Sequence, residues 1–391
     1  MAGHRIAIVG GGLGGTLAAI LLQRAGHHVM VYEQAPELTR IGAGINLGSN
    51  VMKIMRHVDL EARMNSIGLV PRRGASRLWD TGEVLFQRPY QEWAARFGAH
   101  HLIMHRGDLL EVLCSALQPG TLEFGKRLVG MQPAGADTRL DFSDGSSAEA
   151  SLVIGADGVN SKVRETLLGV EPPIYTGTVA YRSIYSTNLL RGPALANDST
   201  KWWSDERLPA QEDRHFIIYY LTSQRDEIYF VTGSPEPHWP SDDFSPLPVS
   251  IEEIRACYEG FHSEVIRVIE SCPLASKWPL LERDPRPMWS SDNIVLLGDA
   301  CHPMKPHMGQ GAAMAFEDAV VLARCIEACG DDAPAAFRLY EATRIGRTSR
   351  VQRESHVNTW LRDPMDPAWV FGYDALSVPL GVTDSEASAA A

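Results

Sequence analysis

The chain opens on "RIAIVGGGLGGTLAAILLQRAGHHVMVYEQ", and no other stretch narrows the possible folds as far. "RIAIVGG" is a short apolar run rich in Ile and Val, the pattern of a buried parallel strand. "TLAAILLQRAG" has the small and apolar residues of a packed helix ending at Gly26, and "HHVMVYEQ" supplies the next strand. This is a βαβ opening, and its turn carries Gly10, Gly12 and Gly15 in GxGxxG spacing, with Gly14 between them. The first glycine permits the tight turn, the second lets backbone approach a pyrophosphate, and the third lets helix meet strand. Glu33 ends the second strand, where a carboxylate can accept a bond from a ribose hydroxyl. The pattern predicts adenine-dinucleotide binding. A carboxylate there repels a 2'-phosphate, which points to FAD or NAD rather than NADP.

Two later strand ends repeat the arrangement. "LDFSDGSSAEASLVIGADG" predicts a hairpin with an Asp-Gly turn, then a buried strand ending in a Gly/Asp cluster around Asp157; "VNSKVRETLLG" then begins a helix. "DNIVLLGDACHP" is another apolar strand ending in Gly-Asp, at Asp299. After it, "QGAAMAFEDAVVLARCI" predicts a helix whose Gly311, Ala312, Ala313 and Ala315 permit close backbone approach. Its N-terminal amides suit a pyrophosphate or flavin edge, and Asp299 suits a ribityl hydroxyl. Strand-glycine turns far apart in sequence can converge at the carboxyl edge of one sheet.

Between these segments the texture changes. "IGAGINLGSN" (41–50) has too many glycines for an interior helix and predicts a loop folded against a ligand. "VMKIMRHVDLEARMNSIG" returns to helical spacing, and "HRGDLLEVLCSAL" predicts a helix capped by Asp108 with Arg106 just before it. From about Tyr175 to Trp278, short aromatic and β-branched runs such as "STKWWSD", "RHFIIYYLTS" and "DEIYFVTGS" predict a largely antiparallel, inserted substrate-facing sheet. In "IIYY" side chains alternate, so Tyr219 and Tyr220 face opposite ways and only one enters a site.

The 391 residues suffice for one large or two intimately packed domains. A net charge of −12 argues against nucleic acid and anionic membranes, which need concentrated positive charge. The six cysteines form no CxxC pair, no apolar stretch reaches membrane-spanning length, and no leader pattern precedes the first strand, so a reducing cytoplasm is expected. His302 and His307 are not spaced as HExxH, and no metal site is expected.

"GGGLGG", "GADGVNSKVR" and "GDACHPMKPHMGQGAAMAFED" together resemble the class A flavoprotein aromatic hydroxylases, over nearly the whole chain up to about Leu380. The resemblance implies an α/β architecture of the p-hydroxybenzoate hydroxylase kind: a Rossmann-like three-layer ββα FAD domain with an inserted sheet-rich substrate domain. It divides the chain into 1–174 and 281–345 for the FAD domain, 175–280 mainly for substrate, and 346–391 as a helical C-terminal extension and tail. FAD is the implied cofactor, with NADH and dioxygen as co-substrates, a small aromatic carboxylate as substrate and a homodimer as an open possibility. It places Glu33 on the adenosine ribose, Arg106 near the FAD phosphates or ribityl chain, Asp157 in a motif shared by flavin and nicotinamide, and Asp299 on the ribityl chain. Pro306 abuts the isoalloxazine entrance, with Gly309 and Gly311 beside the flavin.

Within the family, "KWWSDE", "YYLTSQRDEIYFVTG" and "NTWLRDPMDPAWVFGYD" resemble members that act on hydroxylated pyridine carboxylates. That implies decarboxylative hydroxylation of 6-hydroxynicotinate by a flavin C4a-hydroperoxide, with Tyr219 and His215 in the substrate pocket. Tyr219, helped by His215, deprotonates or orients the ring hydroxyl, and His302 or Asn46 holds the carboxylate; His307 ranks behind His302. One departure stands out: a histidine is expected in "GAGIH", and this chain has Asn46, an amide that cannot act as a base near neutral pH. The alternatives are a hydroxylase of another hydroxypyridine or hydroxybenzoate, and a flavin-binding reductase or regulatory protein that does not hydroxylate.

Overall fold

A computed structural model describes residues 3–40, 42–208, 214–241 and 244–382. The opening strand, Arg5–Val9, lies inside a six-stranded sheet, parallel to His28–Tyr32 on one side and to Leu152–Gly155 on the other. Ile294–Leu296 runs parallel beyond Leu152–Gly155. The three strands that end in Gly10, in Gly155 and just before Gly298 are therefore adjacent, and their glycine turns open on one edge of the sheet. The helices Leu13–Arg24 and Gly311–Cys329 pack together against this sheet. A three-stranded antiparallel layer, Leu128–Ala134 with Asp137–Phe142 and Ser147–Ala150, packs on it through contacts such as the rings of Phe142 and Tyr32, 4.7 Å apart. This is the three-layer ββα arrangement.

The second sheet has eight strands, in the order Leu247–Val249, Ala275–Glu282, Ile174–Ser186, Glu227–Pro235, His215–Tyr220, Ser199–Trp203, Gly74–Leu78 and Val84–Arg88. All its pairs are antiparallel except Ser199–Trp203 with Gly74–Leu78. Its last two strands come from inside the span 1–174 assigned above to the FAD domain. Alternation sends Phe216, Ile218 and Tyr220 into a core with Tyr258, Val265 and Ile269 from the helices behind, and leaves Ile217 and Tyr219 on the opposite face.

Three local expectations are corrected. The glycine-rich segment 42–50 is not all loop: Gly44–Leu47 is a strand antiparallel to Leu102–His105, while residue 41 lies outside the described residues. Gly44 is needed there because a Cβ would lie 2.4 Å from Tyr219 Cε2. The helical run after it is two helices, Ser49–His57 and Glu61–Ile67, broken where Asp59 takes φ 62°. The cap of Arg106–Cys114 is His105, which accepts from Gly107 N at 2.9 Å; Asp108 instead pairs with Arg40 at 2.6 Å.

The long helix Ala333–Val357 runs through the boundary expected at 345/346. Inside it, Arg344 and Arg347 meet Glu317 and Asp318 of the Gly311–Cys329 helix at 2.7–2.8 Å, and all four side chains are buried. Asn50 donates to Glu317 at 2.8 Å, and Arg347 donates to Trp369 O at 2.7 Å. Burial opposes ionisation of both acids, but the charges of Arg347 and Arg344 hold Glu317 below the usual carboxylate range, and His302 and Arg344 do so for Asp318. Removing one partner leaves a buried charge uncompensated. Arg344→Met is therefore expected to cost about 3–5 kcal/mol of stability, read from denaturant unfolding; an unchanged midpoint would contradict the network's role.

Candidate active site

Between the two sheets lies a cavity of about 900 Å³. Its floor is the carboxyl edge of the parallel sheet. Gly10 takes φ +105°, and a Cβ there would sit 2.3 Å from Ala156 O, so the turn at Gly10 and the one after Gly155 touch. Gly12 meets nothing within 4 Å on its open side, which leaves room for a ligand against its backbone. Glu33 Oε2 accepts from Gly11 N at 2.7 Å and Oε1 from Ala35 N at 2.8 Å. Each oxygen retains a lone pair for a ribose hydroxyl.

Asp299 projects into the cavity, solvent-accessible yet enclosed by protein; that enclosure raises its pKa, with His302 and Arg106 acting against the shift. Pro306 opens a single helical turn closed by Gly309 at φ 65°, and Gly311 starts the long helix with its Cβ direction 4.0 Å from Asp299 Oδ1. Gly14, Gly15, Arg106, Pro306, Gly309 and Gly311 all line the cavity. Asp157 lines it too, but its carboxylate is engaged at the N-terminus of Lys162–Leu168, accepting from Lys162 N at 2.7 Å, Val163 N at 3.1 Å and the Ser161 hydroxyl. Open glycine backbone, a ribose-facing acid and a helix N-terminus beside an enclosed carboxylate fit a flavin dinucleotide.

The opposite wall is the eight-stranded sheet. Tyr219 faces the cavity beside Tyr229, ring centroids 5.2 Å apart, while the Tyr220 hydroxyl accepts from Leu195 N on the far side. Burial pushes the Tyr219 phenol well above its ordinary pKa and Tyr229 up to about 12, so both are proton donors at neutral pH. A neutral phenol at Tyr219 can donate a hydrogen bond into the cavity but does not act unaided as a base. Asn46 lines the cavity on the facing strand.

The two candidate histidines lie outside the cavity lining. His215 is buried behind it, its ring over Gly233, where a Cβ would come within 2.1 Å, and its Nδ1 accepts from Asn358 Nδ2 at 3.2 Å. The expectation that His302 reaches the substrate is overturned: its ring is 1% exposed, 2.5 Å from Asp318 and packed on Trp289. His307 lines the cavity instead. Its Nδ1 donates to Ser355 O at 2.8 Å, its Nε2 is buried without a partner, and its ring meets His215 edge-on at 5.2 Å. Pro303 and Pro306 break the chain between the two histidines, so His302 stays with the buried strand end and His307 emerges on the following turn.

Sequence reasoning also missed Arg88, Arg182 and Lys201, which line the sheet wall. Lys201 had a signal, since a lysine inside the buried run "STKWW" calls for a partner. The acids among the described lining residues, Glu33, Asp157 and Asp299, all belong to the dinucleotide side.

The sequence matches the FAD binding domain family over residues 4–355, and the chain belongs to that family. It is an FAD-dependent aromatic monooxygenase that uses NADH. It is 52% identical over 378 residues to 6-hydroxynicotinate 3-monooxygenase of Bordetella bronchiseptica, covering 96% of this chain and 97% of that one. It is 48% identical to 6-hydroxynicotinate 3-monooxygenase of Pseudomonas fluorescens, covering 96% of each. Among solved structures it superposes on Klebsiella pneumoniae HpxO complexed with FAD and uric acid, with TM-score 0.78 and 27% identity over 92% of this chain and 88% of that one.

Two outcomes follow. Losing a charge-assisted bond at Asp299 should weaken FAD retention by about 10- to 100-fold in Asp299→Ala, measured by equilibrium dialysis; full retention would remove its cofactor role. Burial, then the charge of Lys201, holds His215 well below the usual histidine range and His307 down to about 3. Lowered values keep both rings neutral above about pH 5, so their NMR ring-proton shifts should stay constant from pH 5 to 8, and a midpoint near 6.5 would refute this.

Proposed function

We propose that the enzyme converts 6-hydroxynicotinate to 2,5-dihydroxypyridine. One atom of dioxygen enters the ring at the carbon bearing the carboxylate, the other leaves as water, NADH supplies two electrons and carbon dioxide departs. Identity of 52% and 48%, over nearly the full length, to two proteins of that activity carries the reading. The cationic sheet wall, with Arg88, Arg182 and Lys201 opposite the acids of the dinucleotide side, supports an anionic substrate.

Bound FAD, once reduced, supplies activated dioxygen; the protein's part is to place the ring and its charges. Tyr219 donates to the ring oxygen from the sheet wall, and Asn46 bonds the ring from the facing strand. Glu33 and Asp299 hold the ribose and ribityl hydroxyls, Arg106 takes the phosphate side, and the Gly309–Gly311 turn abuts the flavin. His215 acts from behind the wall through its contact with His307. A second reading, hydroxylation of another hydroxypyridine or hydroxybenzoate, is favoured by Asn46, because an amide supplies a hydrogen bond but no base where a histidine is expected.

Purified FAD-loaded enzyme given 6-hydroxynicotinate should consume NADH and dioxygen in equal amounts and release 2,5-dihydroxypyridine by mass. NADH oxidation yielding hydrogen peroxide alone would overturn the substrate assignment.

A further inference from the structure

Strand register runs one row of residues across the sheet wall. Tyr229 is opposite Tyr219, Tyr219 opposite Ser199, Ser199 opposite Gly74 and Gly74 opposite Arg88. Paired residues share a face, and Arg88, Ser199, Tyr219 and Tyr229 all line the cavity. Gly74 leaves a gap in the row: a Cβ there would lie 2.6 Å from Tyr90 Cε2. Across that gap Arg88 Nη1 donates to the Ser199 hydroxyl at 3.2 Å, with the Tyr90 hydroxyl at 3.5 Å. Its Nε is buried and donates to nothing. Beside it stands His101, its ring 5.2 Å from Tyr90 and neither nitrogen bonded. Burial, then the charge of Arg88, lowers the pKa of His101 to about 3, so it is neutral and carries one N–H without an acceptor.

We propose that Arg88 is the anchor for the substrate's carboxylate, and that Ser199 is the positioning residue that draws its guanidinium along the row toward Tyr219. This rests on the ring-acid reading above. A guanidinium bonded to two neutral hydroxyls keeps donors unanswered, and its planar fork matches a carboxylate through two parallel bonds. That attraction is stronger in a water-poor cavity than in bulk solvent. The unbonded Nε of Arg88 and the N–H of His101 put two buried donors without acceptors at one end of the cavity, which an anion with several lone pairs suits. The substrate's own shape selects that end. Hydroxyl and carboxylate are para on the ring of 6-hydroxynicotinate, so they point in opposite directions. The charge of Arg182 acts on the phenols of both Tyr219 and Tyr229, which gives the ring oxygen a cation of its own there. The carboxylate then extends the other way, where Ser199 and Arg88 continue the row.

The test is calorimetric titration of FAD-loaded, oxidised enzyme, without NADH, using 6-hydroxynicotinate and 2-hydroxypyridine, the same ring lacking the carboxylate. Arg88→Met should weaken binding of the acid by about 10- to 100-fold, the range for hydrogen bonds to a charged group, while shifting the carboxylate-free ring by less than about 3-fold. Arg88→Lys keeps the charge without the fork and should recover part of the loss. Ser199→Ala leaves Arg88 in place but removes the acceptor that aims it, and should shift the ratio of the two affinities by a smaller factor. It also answers the question if Arg88→Met fails to retain FAD. Equal loss for both rings, or unchanged preference in both Arg88→Met and Ser199→Ala, overturns the anchor while the substrate reading stands. Loss of preference in Arg182→Met alone overturns it in favour of Arg182. Wild-type enzyme that binds the acid no better than 2-hydroxypyridine overturns both the anchor and the reading beneath it.

Discussion

The structure depends on one buried set of charges. Glu317 and Asp318 are consecutive on a helix whose first turn faces the cavity, and both are enclosed. Arg344 spans them, at 2.8 Å from each, and Arg347 doubles the hold on Glu317. Through these four the Gly311–Cys329 helix is locked to the long helix behind it, to Asn50 on a third helix, and to backbone carbonyls at Trp369 and Val370. Asp318 Oδ2 also accepts from Gly298 N at 3.1 Å and meets His302. The turn that presents Asp299 thus cannot shift without disturbing buried ion pairs, and a flavin site needs that rigidity, because a misplaced oxidant yields peroxide rather than product. The cluster of Cys301, His302 and Asp318 has metal-ligand chemistry, but the guanidinium of Arg344 already occupies Asp318.

The two walls of the cavity differ in their side chains. The dinucleotide side carries Glu33, Asp157 and Asp299 together with Arg106, Lys126, Arg127 and Lys162. The sheet side carries Arg88, Arg182 and Lys201 with the phenols of Tyr219 and Tyr229 and, among the described lining residues, no carboxylate. Burial sets the protonation there: it keeps Tyr219 and Tyr229 protonated and His215 and His307 neutral, so the positive charge at that end of the sheet resides on lysine and arginine. A similar logic explains His101, which lines the cavity between Tyr90, Trp93 and Phe371 with neither ring nitrogen bonded and a pKa lowered to about 3. There the imidazole packs as an aromatic surface.

Much of this was legible in the residues. Periodicity and turn chemistry located the parallel strands, the glycine turns and the helix after Asp299, because each depends on local sequence. Alternation in "IIYY" allowed only one of Tyr219 and Tyr220 to face the cavity; the family resemblance chose Tyr219, and Tyr219 is the one that lines it. What failed was non-local. Gly44–Leu47 looked like loop because its pairing partner lies near residue 103, and nothing nearby announces it. Gly74–Leu78 and Val84–Arg88 join a sheet whose other strands begin a hundred residues later. His302 was preferred to His307 because proximity to a motif stood in for direction, and direction depends on whether a turn continues or breaks at Pro306. Lys201 went unweighed because Asn358, whose Oδ1 accepts from its Nζ at 2.9 Å, lies far down the chain.

That distance has a temporal side. The chain from residue 358 onward supplies Asn358, Trp360, Leu361 and Phe371 to the cavity region, and Leu361 O receives the Ser76 hydroxyl. A polypeptide emerging from the ribosome can therefore complete its dinucleotide turns while its substrate chamber still lacks a wall. Closure of that chamber waits for residues 358–371, and so do the bonds from Arg347 to Trp369 O and Val370 O that brace the helix after Asp299.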